Sequence, residues 1–291
     1  MKPYCFLNGA FVPLSEAAIS VYDIGILRGY GIYEAFCTYG GKPFMLNDHL
    51  ARFRRSAEGL SLNIPIGDNE IEDAVLELIR RNGYQEAILR FILTGGQALG
   101  GIEYNETKPT FYMLAEEFVH LPESTFENGS SLITAEHQRQ LPQWKTIDYI
   151  EAVKLQKKRK EAGAIEILYH AGGKVLEGAT SNVFIVKDGV LITPSNNVLH
   201  GITRNATIIS AAPHFKTEER DITLSELLAA DEVFITSSFK EVVPIVKVDE
   251  KPIGSGAVGP VAKEVLRLFR EFAYTHGAQR SDIVVPTPAH Q

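Results

Sequence analysis

The sequence predicts a mixed α/β (α+β) protein with two domains, a small N-terminal one and a larger C-terminal one. Its length of 291 residues is more than one small hydrophobic core usually organises. Residues 1–116 alternate between short apolar runs typical of strands and amphipathic patterns typical of helices, which predicts a layered α/β domain. An acidic linker is expected at residues 117–129. Residues 130–291 show mostly strand patterns, which predicts a barrel-like domain.

The N-terminal domain is predicted to contain four strands and two helices. Asn47 is expected to cap the first helix and Asp68 the second, because short polar side chains accept hydrogen bonds from the free amides of a helix start. The glycine-rich segment Gly95–Gly101 is predicted to be a flexible loop. The predicted strands, the first two of them broken by glycine turns, are Phe6–Val12, Ile32–Tyr39, Ala87–Leu93 and Thr110–Leu114.

The C-terminal domain is predicted to contain one sheet and a few helices. One helix is expected from about Asp148 to Ala162, and another follows the capping box Thr223–Glu226. A last helix is expected near Val258–Tyr274, and the tail after Gly277 is expected to be loosely held. The predicted strands are Leu132–Ala135, Ile165–Tyr169, Asn182–Val186, Val190–Thr193, Glu232–Thr236 and Val242–Val246.

The composition is typical of a soluble globular protein. Hydrophobic residues make up 45% of the chain, and the formal net charge of −7 disfavours nucleic acid and anionic membranes as partners. The two cysteines, Cys5 and Cys37, cannot build a disulfide framework, so a cytoplasmic location is expected. No segment approaches the roughly 20 apolar residues that a membrane helix needs. The histidines and cysteines show no metal-ligand spacing, so no metal site is expected.

One stretch of the sequence supports a chemical hypothesis. Lys145 precedes a predicted helix in a segment where desolvation could lower the amine pKa, and an amine must be neutral to form a Schiff base. Glu177 lies on a predicted hairpin, where a carboxylate could keep a pyridine nitrogen protonated. Ile202–Arg204 begins a predicted helix whose free amides, with the Thr203 hydroxyl, could bind a phosphate. These are the groups that pyridoxal 5′-phosphate (PLP) requires.

Each of these residues also has an ordinary interpretation. A lysine in a polar loop is most often solvated, and an isolated strand glutamate is most often exposed. Thr203 would then be a simple N-cap of its helix. The ordered combination of the three favours the chemical hypothesis over any of these separate interpretations.

The ordered motifs resemble the class IV aminotransferases, the PLP fold type IV family. Glu177 is followed by Asn182-Val-Phe184, then by Leu191-Ile-Thr193 and Leu199-His-Gly-Ile-Thr-Arg204, which is nearly the whole family signature. Further matches are distributed over almost the entire chain. They are Asn8-Gly9, Gly31-Ile-Tyr33-Glu34, His49-Leu-Ala-Arg52 and Thr236-Ser-Ser238.

The resemblance implies a small N-terminal α/β domain and a C-terminal pseudo-barrel domain that carries PLP. It implies that Lys145 binds the cofactor and moves a proton between the substrate Cα and the cofactor C4′, and that Glu177 pairs with the pyridine nitrogen. Tyr149 is expected near the phenolic oxygen. A homodimer is implied, with each active site completed by a loop of the partner subunit. The remaining cofactor-binding residues are expected to be Arg52, Ser181, Asn182, Ile202, Thr203, Ser237 and Ser238.

Substrate specificity is expected to depend on the N-terminal domain. Branched-chain relatives carry Tyr-Glu-Gly-Ile-Arg where this chain has Tyr33-Glu-Ala-Phe-Cys37, so their arginine is absent. The Arg-x-His carboxylate trap of well-known D-amino-acid transaminases is absent from Thr94–Ile102. Another group must therefore bind the α-carboxylate of an amino-acid substrate.

Two arginines are the leading candidates for this carboxylate. Arg28 lies in an Arg-Gly-Tyr-Gly turn and Arg90 lies within a predicted strand, and together they resemble an atypical subgroup of D-amino-acid transaminases. A buried Arg90 needs an anionic partner, so an ion pair with Glu34 or Glu86 is the ordinary alternative. Further substrate-binding candidates are Tyr33 and Lys240, although such a lysine is more often solvated.

The sequence thus predicts a PLP-dependent transaminase that moves the amino group of a D-amino acid to 2-oxoglutarate or pyruvate in a ping-pong reaction. A branched-chain L-amino-acid aminotransferase is the first alternative. A 4-amino-4-deoxychorismate lyase and an (R)-amine transaminase share the fold and the cofactor. A PLP-binding protein without activity is disfavoured by the presence of both Lys145 and Glu177.

Overall fold

The computed structural model describes residues 3–276, which fall into two compact units. One unit comprises the chain up to Phe118 together with the segment from Ala273, and the other comprises Val119–Phe272. The tail after Gly277, which the sequence predicts to be loosely held, lies outside the described residues. Between residues 3 and 276, no helix has both the length and the apolar composition to cross a membrane.

The N-terminal unit combines short strands with three helices. Its strands are β1 (Tyr4–Leu7), β2 (Ala10–Pro13), β3 (Gly31–Tyr39), β4 (Lys42–Pro43), β5 (Ala87–Thr94), β6 (Ala98–Gly100), β7 (Glu103–Tyr104) and β8 (Thr110–Glu117). Its helices are α1 (Ile24–Arg28), α2 (Leu46–Gly59) and α3 (Asp68–Asn82). Six of the strands form an antiparallel sheet in the order β2-β1-β8-β5-β3-β4, and β6 pairs with β7 separately.

An aromatic core joins α2 to this sheet. Phe53 of α2 lies 5.9 Å, between ring centroids, from Phe91 of β5, and Phe91 lies 5.3 Å from Phe36 of β3. All three rings are fully buried. Each such burial stabilises the fold by roughly 1.5–3 kcal/mol. Leu50 and Ala57 are buried with Phe53 on the same face of α2.

The helix caps of this unit differ from the sequence prediction. Met45, in a left-handed conformation (φ 47°), is the N-cap of α2, so Asn47 lies inside the first turn. Gly67 is the N-cap of α3, where its amide donates to the Glu70 side chain, and Asp68 is the first helical residue. Both predicted caps were wrong by one or two positions, because backbone conformation at the helix start is not visible in residue type alone.

Of two glycine-containing segments, one matches the sequence prediction and the other differs. Phe6–Val12 is broken by a glycine turn, as predicted, because Asn8 (φ 47°) and Gly9 (φ 93°) turn the chain between β1 and β2. The Gly95–Gly101 segment contains β6 rather than lacking regular structure. Gly96 (φ 76°) is required there, since a Cβ atom would lie 2.1 Å from the carbonyl oxygen of Lys108.

The C-terminal unit contains most of the strands of the protein. They are β9 (Ser130–Glu136), β10 (Glu166–Ala171), β11 (Lys174–Gly178), β12 (Asn182–Lys187), β13 (Val190–Thr193), β14 (Thr217–Glu219), β15 (Ile222–Thr223), β16 (Glu232–Ser237), β17 (Glu241–Val248) and β18 (Lys251–Pro252). The helices are α4 (Glu123–Asn128), α5 (Ile150–Lys154), α6 (Gln156–Glu161), α7 (Ile202–Ala211), α8 (Leu224–Leu228) and α9 (Pro260–His276). The last residues of α9, from Ala273, belong to the N-terminal unit.

These strands form one curled, half-barrel sheet, as the sequence predicted. The order is β14-β13-β12-β16-β17-β9-β10-β11-β15, with β18 paired to β17. The β9–β10, β9–β17 and β13–β14 ladders are parallel, and the other ladders are antiparallel. Strands β12 and β16 are buried along nearly their whole length, and the rings of Phe184 and Phe234 stack between them at 4.9 Å.

The helices of this unit differ from the sequence prediction at one place and match it at another. The helix expected over Asp148–Ala162 is divided at Leu155, where ψ is −3° instead of a helical value, so α5 and α6 are separate. The capping box is confirmed, because Thr223 and Glu226 cap each other's backbone amides at α8. The acidic segment expected as a linker contains the short helix α4.

Candidate active site

Glu177 is one of the expected site residues in the C-terminal unit. It lies on β11, after the turn formed by Gly172 and Gly173, and it is only 5% exposed. One carboxylate oxygen accepts a hydrogen bond from Arg139 Nε at 2.8 Å, and the other accepts one from the Leu199 backbone amide at 2.9 Å. The interpretation of Glu177 as an exposed strand residue is therefore wrong.

Opposing effects act on the protonation of Glu177. Burial raises the pKa of its carboxyl group, and this effect exceeds the opposing effects of the Arg139 charge, the Leu199 amide and the Lys145 charge. The pKa of Glu177 consequently lies above its ordinary value. The influence of Lys145 on this pKa shows that the fold brings the amine near the carboxylate.

Lys145 lies half-buried in the loop between β9 and α5. The same loop contains Arg139, which donates two further hydrogen bonds to the backbone carbonyls of Pro142 and Trp144. One guanidinium group thus connects the backbone that precedes Lys145 to the carboxylate of Glu177.

The start of α5 holds the residues that follow this lysine. Asp148 accepts a hydrogen bond from the Ile150 amide at 3.2 Å, which gives the aspartate a capping role. Tyr149 is the N-cap residue and packs against a buried apolar cluster that includes Tyr169 and Leu176. The expected contact of Tyr149 with the cofactor's phenolic oxygen stays a prediction.

The N-terminus of α7 has the properties of an anion-binding site. Its N-cap is Gly201, and no side chain caps the first amides. Ile202 and Thr203 are buried in the first turn, so the interpretation of Thr203 as the N-cap is wrong. A Cβ atom at Gly201 would lie 2.1 Å from Asn182 Oδ1, and Asn182 Nδ2 donates to the Leu199 carbonyl at 2.7 Å. The positive end of the helix dipole and these amides suit a phosphate.

Arg204 fixes the direction of this helix. Its guanidinium group is almost completely buried and donates to Thr193 Oγ1 at 3.3 Å and to the Pro194 carbonyl at 3.1 Å. It also forms an ion pair of 2.7 Å with Glu219 of β14. These contacts tie the first turn of α7 to β13 and β14, so the free amides are presented in one orientation.

Three consecutive residues with hydroxyl groups lie at the end of β16. Thr236 is buried opposite Asn182, and within residues 3–276 its hydroxyl oxygen has no hydrogen-bond partner. Ser237 and Ser238 follow it and are half-buried. A buried hydroxyl without a partner is costly, which favours a ligand that completes the site.

Lys240 is held by a buried carboxylate. Its ammonium group donates to Glu166 Oε2 at 3.1 Å and to Thr180 Oγ1 at 2.7 Å. The Ser181 hydroxyl donates to the same Glu166 oxygen at 3.4 Å. Burial raises the pKa of Glu166, but the Lys240 charge and the Thr180 hydroxyl outweigh it, and the pKa lies below its ordinary value. The interpretation of Lys240 as a solvated lysine is therefore wrong.

Arg52, one of the expected cofactor-binding residues, belongs to the N-terminal unit. It donates two hydrogen bonds to the fully buried Glu34, from Nε at 2.9 Å and from Nη2 at 2.6 Å. His49 Nδ1 lies 3.0 Å from the same carboxylate. Burial raises the pKa of Glu34, but the charges of Arg52 and His49 outweigh it and hold the pKa far below its ordinary value.

Arg28 lies at the end of α1 and is exposed. It donates to the carbonyl of Leu27 at 2.8 Å, and within the described part of the chain no carboxylate forms an ion pair with it. It borders a cleft of about 440 Å³ whose other walls are Tyr22, Leu27 and residues 97–101.

Arg90 of β5 is half-buried and pairs with Glu116 of β8. The two expected partners were wrong, because Glu34 is held by Arg52 and Glu86 accepts from the Thr38 hydroxyl. Tyr33 of β3 is half-buried as well.

Residues 31–248 match the family described as amino-transferase class IV. The chain belongs to this family. A putative branched-chain-amino-acid aminotransferase of Methanocaldococcus jannaschii is 34% identical over 287 residues, covering 95% of this chain and 99% of the relative. A D-alanine aminotransferase of Staphylococcus haemolyticus is 35% identical over 273 residues, covering 92% of this chain and 96% of the relative. The solved branched-chain amino acid aminotransferase of T.th. with pyridoxamine 5′-phosphate has a TM-score of 0.88 and 31% identity, with 95% of each chain covered.

The expected fold type IV architecture and the expected cofactor are thereby confirmed. Class IV aminotransferases use PLP, and the donors of the C-terminal unit fit this group. A buried carboxylate at Glu177, an amine at Lys145, the uncapped amides of α7 and the unpartnered hydroxyl of Thr236 are the donors and acceptors that a phosphorylated pyridine aldehyde requires.

The structure adds residues that the sequence did not single out. Arg139, Glu166 and Thr180 all make hydrogen bonds to expected site residues. Each contact joins residues far apart in the chain, and no periodicity or turn chemistry marks such a pair. For Arg139, the one signal in the sequence was its isolated position in the loop before Lys145.

The ion pair of Lys240 with Glu166 predicts a strong effect on stability. We expect Lys240→Met to lower the free energy of unfolding by about 3–5 kcal/mol, because it leaves a buried charge unpaired. Glu166→Gln combined with Lys240→Met should restore much of the loss. Because Glu166 has a lowered pKa, this stabilisation is present at neutral pH and is lost as the pH falls below 4.5.

Urea unfolding of the single and double variants between pH 3 and 7 measures these effects. Lys187→Met is the matched control, because Lys187 pairs with the exposed Asp231 and its loss should change little. A Lys240→Met variant as stable as this control at pH 7 would contradict the assignment.

Proposed function

We propose that this class IV aminotransferase transfers the amino group of a D-amino acid, such as D-alanine or D-glutamate, to 2-oxoglutarate or pyruvate by a ping-pong mechanism. The observation that carries the proposal is Arg28. It is an exposed guanidinium beside a cleft, and it has no carboxylate partner within residues 3–276. A substrate carboxylate would supply the missing anion through charge-assisted hydrogen bonds.

Arg90 is the second proposed carboxylate ligand. Its present partner Glu116 is half exposed, and such an ion pair contributes little stability, so exchange for a substrate carboxylate costs little. Cys37 occupies the position at which branched-chain relatives carry arginine, and it is a buried thiol. Tyr33 and Lys240 remain proposed substrate contacts. Lys240 also forms an ion pair with Glu166.

We propose the following cofactor contacts, most of them from residues of the C-terminal unit. Lys145 would hold the cofactor aldehyde and carry the proton from the substrate Cα, and Glu177 would pair with the pyridine nitrogen. Bound PLP supplies the electron sink that makes the Cα proton acidic. Tyr149 would contact the phenolic oxygen. The proposed contacts to the phosphate and its surroundings are Arg52, Ser181, Asn182, Ile202, Thr203, Ser237 and Ser238.

We also propose that the protein is a homodimer located in the cytoplasm. Exposed apolar side chains surround the Arg28 turn and the β6–β7 segment, and a second copy of the chain would bury them. They are Val21, Tyr22, Ile26, Leu99 and Ile102. Cys5 and Cys37 form no disulfide, which fits a reducing compartment.

A branched-chain L-amino-acid aminotransferase is the second candidate. Identity does not separate the two, because the relative named D-alanine aminotransferase is 35% identical and the relative named branched-chain aminotransferase is 34% identical. The solved structure described above, which has a similar fold, is named a branched-chain amino acid aminotransferase.

Half-reactions with single amino acids test the proposal. Adding D-alanine or D-glutamate to the purified holoenzyme should bleach the visible absorption band of the lysine-bound cofactor, because the amino group moves onto the cofactor. L-Leucine added in the same way should leave the band unchanged. Rapid bleaching by L-leucine alone would contradict the proposal and favour the branched-chain enzyme. An absorption band that none of the three amino acids bleaches would favour a lyase or an amine transaminase.

Variants of the two arginines test the carboxylate assignment. Arg28→Met and Arg90→Met should each raise KM for the D-amino acid about tenfold or more, because each removes a hydrogen bond to a charged group. The affinity for PLP should not change. Arg54→Met is the matched control, since Arg54 pairs with the exposed Asp68 in the same unit. Unchanged KM values in both test variants would refute the assignment.

A further inference from the structure

One guanidinium group connects two parts of the candidate active site. Arg139 is 13% exposed in its side chain, and three different nitrogens donate to three different acceptors. Nε donates to the Glu177 carboxylate at 2.8 Å, Nη1 donates to the Trp144 carbonyl at 3.1 Å, and Nη2 donates to the Pro142 carbonyl. The planar guanidinium holds its N–H groups in a fixed fork, so the three acceptors are held in a fixed arrangement.

The acceptors have different roles in the site. Glu177 is the carboxylate that is proposed to meet the pyridine nitrogen of the cofactor. The Trp144 carbonyl belongs to the residue directly before Lys145, the proposed attachment point of the same cofactor. A rotation of either element would therefore strain the hydrogen bonds to the other.

Arg139 also supplies a charge that does not change during turnover. The groups that face Glu177 are Arg139 and Lys145 from the loop after β9, the Leu199 amide, and the Tyr169 phenol from β10. Lys145 must be neutral to react, whereas an arginine stays protonated at any working pH. Burial favours the neutral form of Glu177, so without Arg139 the carboxyl group would hold its proton to a higher pH.

We propose that Arg139 is a positioning residue for the cofactor: it keeps Glu177 ionised and aimed, and it fixes the backbone from which Lys145 reaches the same ligand. The proposal rests on the cofactor placement proposed above. It does not depend on which amino acid is the substrate, because the cofactor contacts are common to every candidate reaction.

The test measures PLP affinity as a function of pH, without any amino-acid substrate. Arg139→Met should weaken PLP binding about tenfold or more at neutral pH. Affinity should decline toward acid pH with a midpoint higher than in the wild type, because Glu177 must lose its proton to pair with the pyridine nitrogen. Arg139→Lys keeps the positive charge but lacks the forked N–H groups. Its PLP affinity and pH midpoint should therefore lie between those of the wild type and those of Arg139→Met.

Two further variants separate positioning from general stability. Arg159→Met is the matched control, since Arg159 also donates to one side chain and two backbone carbonyls in this unit, those of Gln156, Ala164 and Ile165. It should lower thermal stability without changing PLP affinity. In a Glu177→Gln background, Arg139→Met should have a much smaller effect than in the wild type, because its partner charge is already absent.

Two results would overturn the proposal. One is an Arg139→Met variant that resembles the Arg159→Met control in PLP affinity and pH midpoint. The other is full additivity of Arg139→Met and Glu177→Gln. If Arg139→Met does not fold, Arg139→Gln takes its place with the same expected results. Wild-type protein that binds PLP but bleaches only with L-leucine would change the proposed function and leave this proposal standing.

Discussion

The burial of the Glu177 carboxylate is the constraint on which the rest of the site depends. An ionised carboxyl group out of water costs several kcal/mol unless charges and hydrogen bonds compensate it. Here the Arg139 guanidinium and the Leu199 amide each satisfy one oxygen. The Leu199 amide belongs to the turn before α7, and Arg139 belongs to the loop that carries Lys145. One buried charge therefore organises the pyridine, phosphate and lysine ends of the proposed cofactor site.

The same arrangement occurs at two other buried glutamates. Glu34 on β3 is held by Arg52, and Glu166 on β10 is held by Lys240. In both, the attached charge lies on a different element, so the ion pair fixes the relative position of two segments near expected site residues. Such pairs contribute little net stability, but removing one partner is costly. Expected ligands such as Arg52 and Lys240 therefore also have a structural role, and their variants need stability controls.

Much of the fold follows from local sequence patterns. Strands such as β13 were predicted with their observed bounds, because a short apolar run between turn residues can form few structures other than a strand. The helix starts were wrong where Met45 adopts a left-handed conformation, which depends on the packing around it. The contacts of Glu177 and Glu166 could not be predicted, because their partners Arg139 and Lys240 lie in other elements. The sequence predicts which residues carry the chemistry, and the structure shows what holds those residues in place.

The central claim is that Lys145 is the residue that binds the cofactor. Reducing the PLP-loaded protein with borohydride makes the lysine–cofactor link permanent, and mass analysis of its proteolytic peptides then locates the label. The account predicts a phosphopyridoxyl group on the peptide that contains Lys145 and its absence from the Lys145→Ala variant. A label on Lys240 or on another lysine, or equal labelling of the variant, would contradict the account.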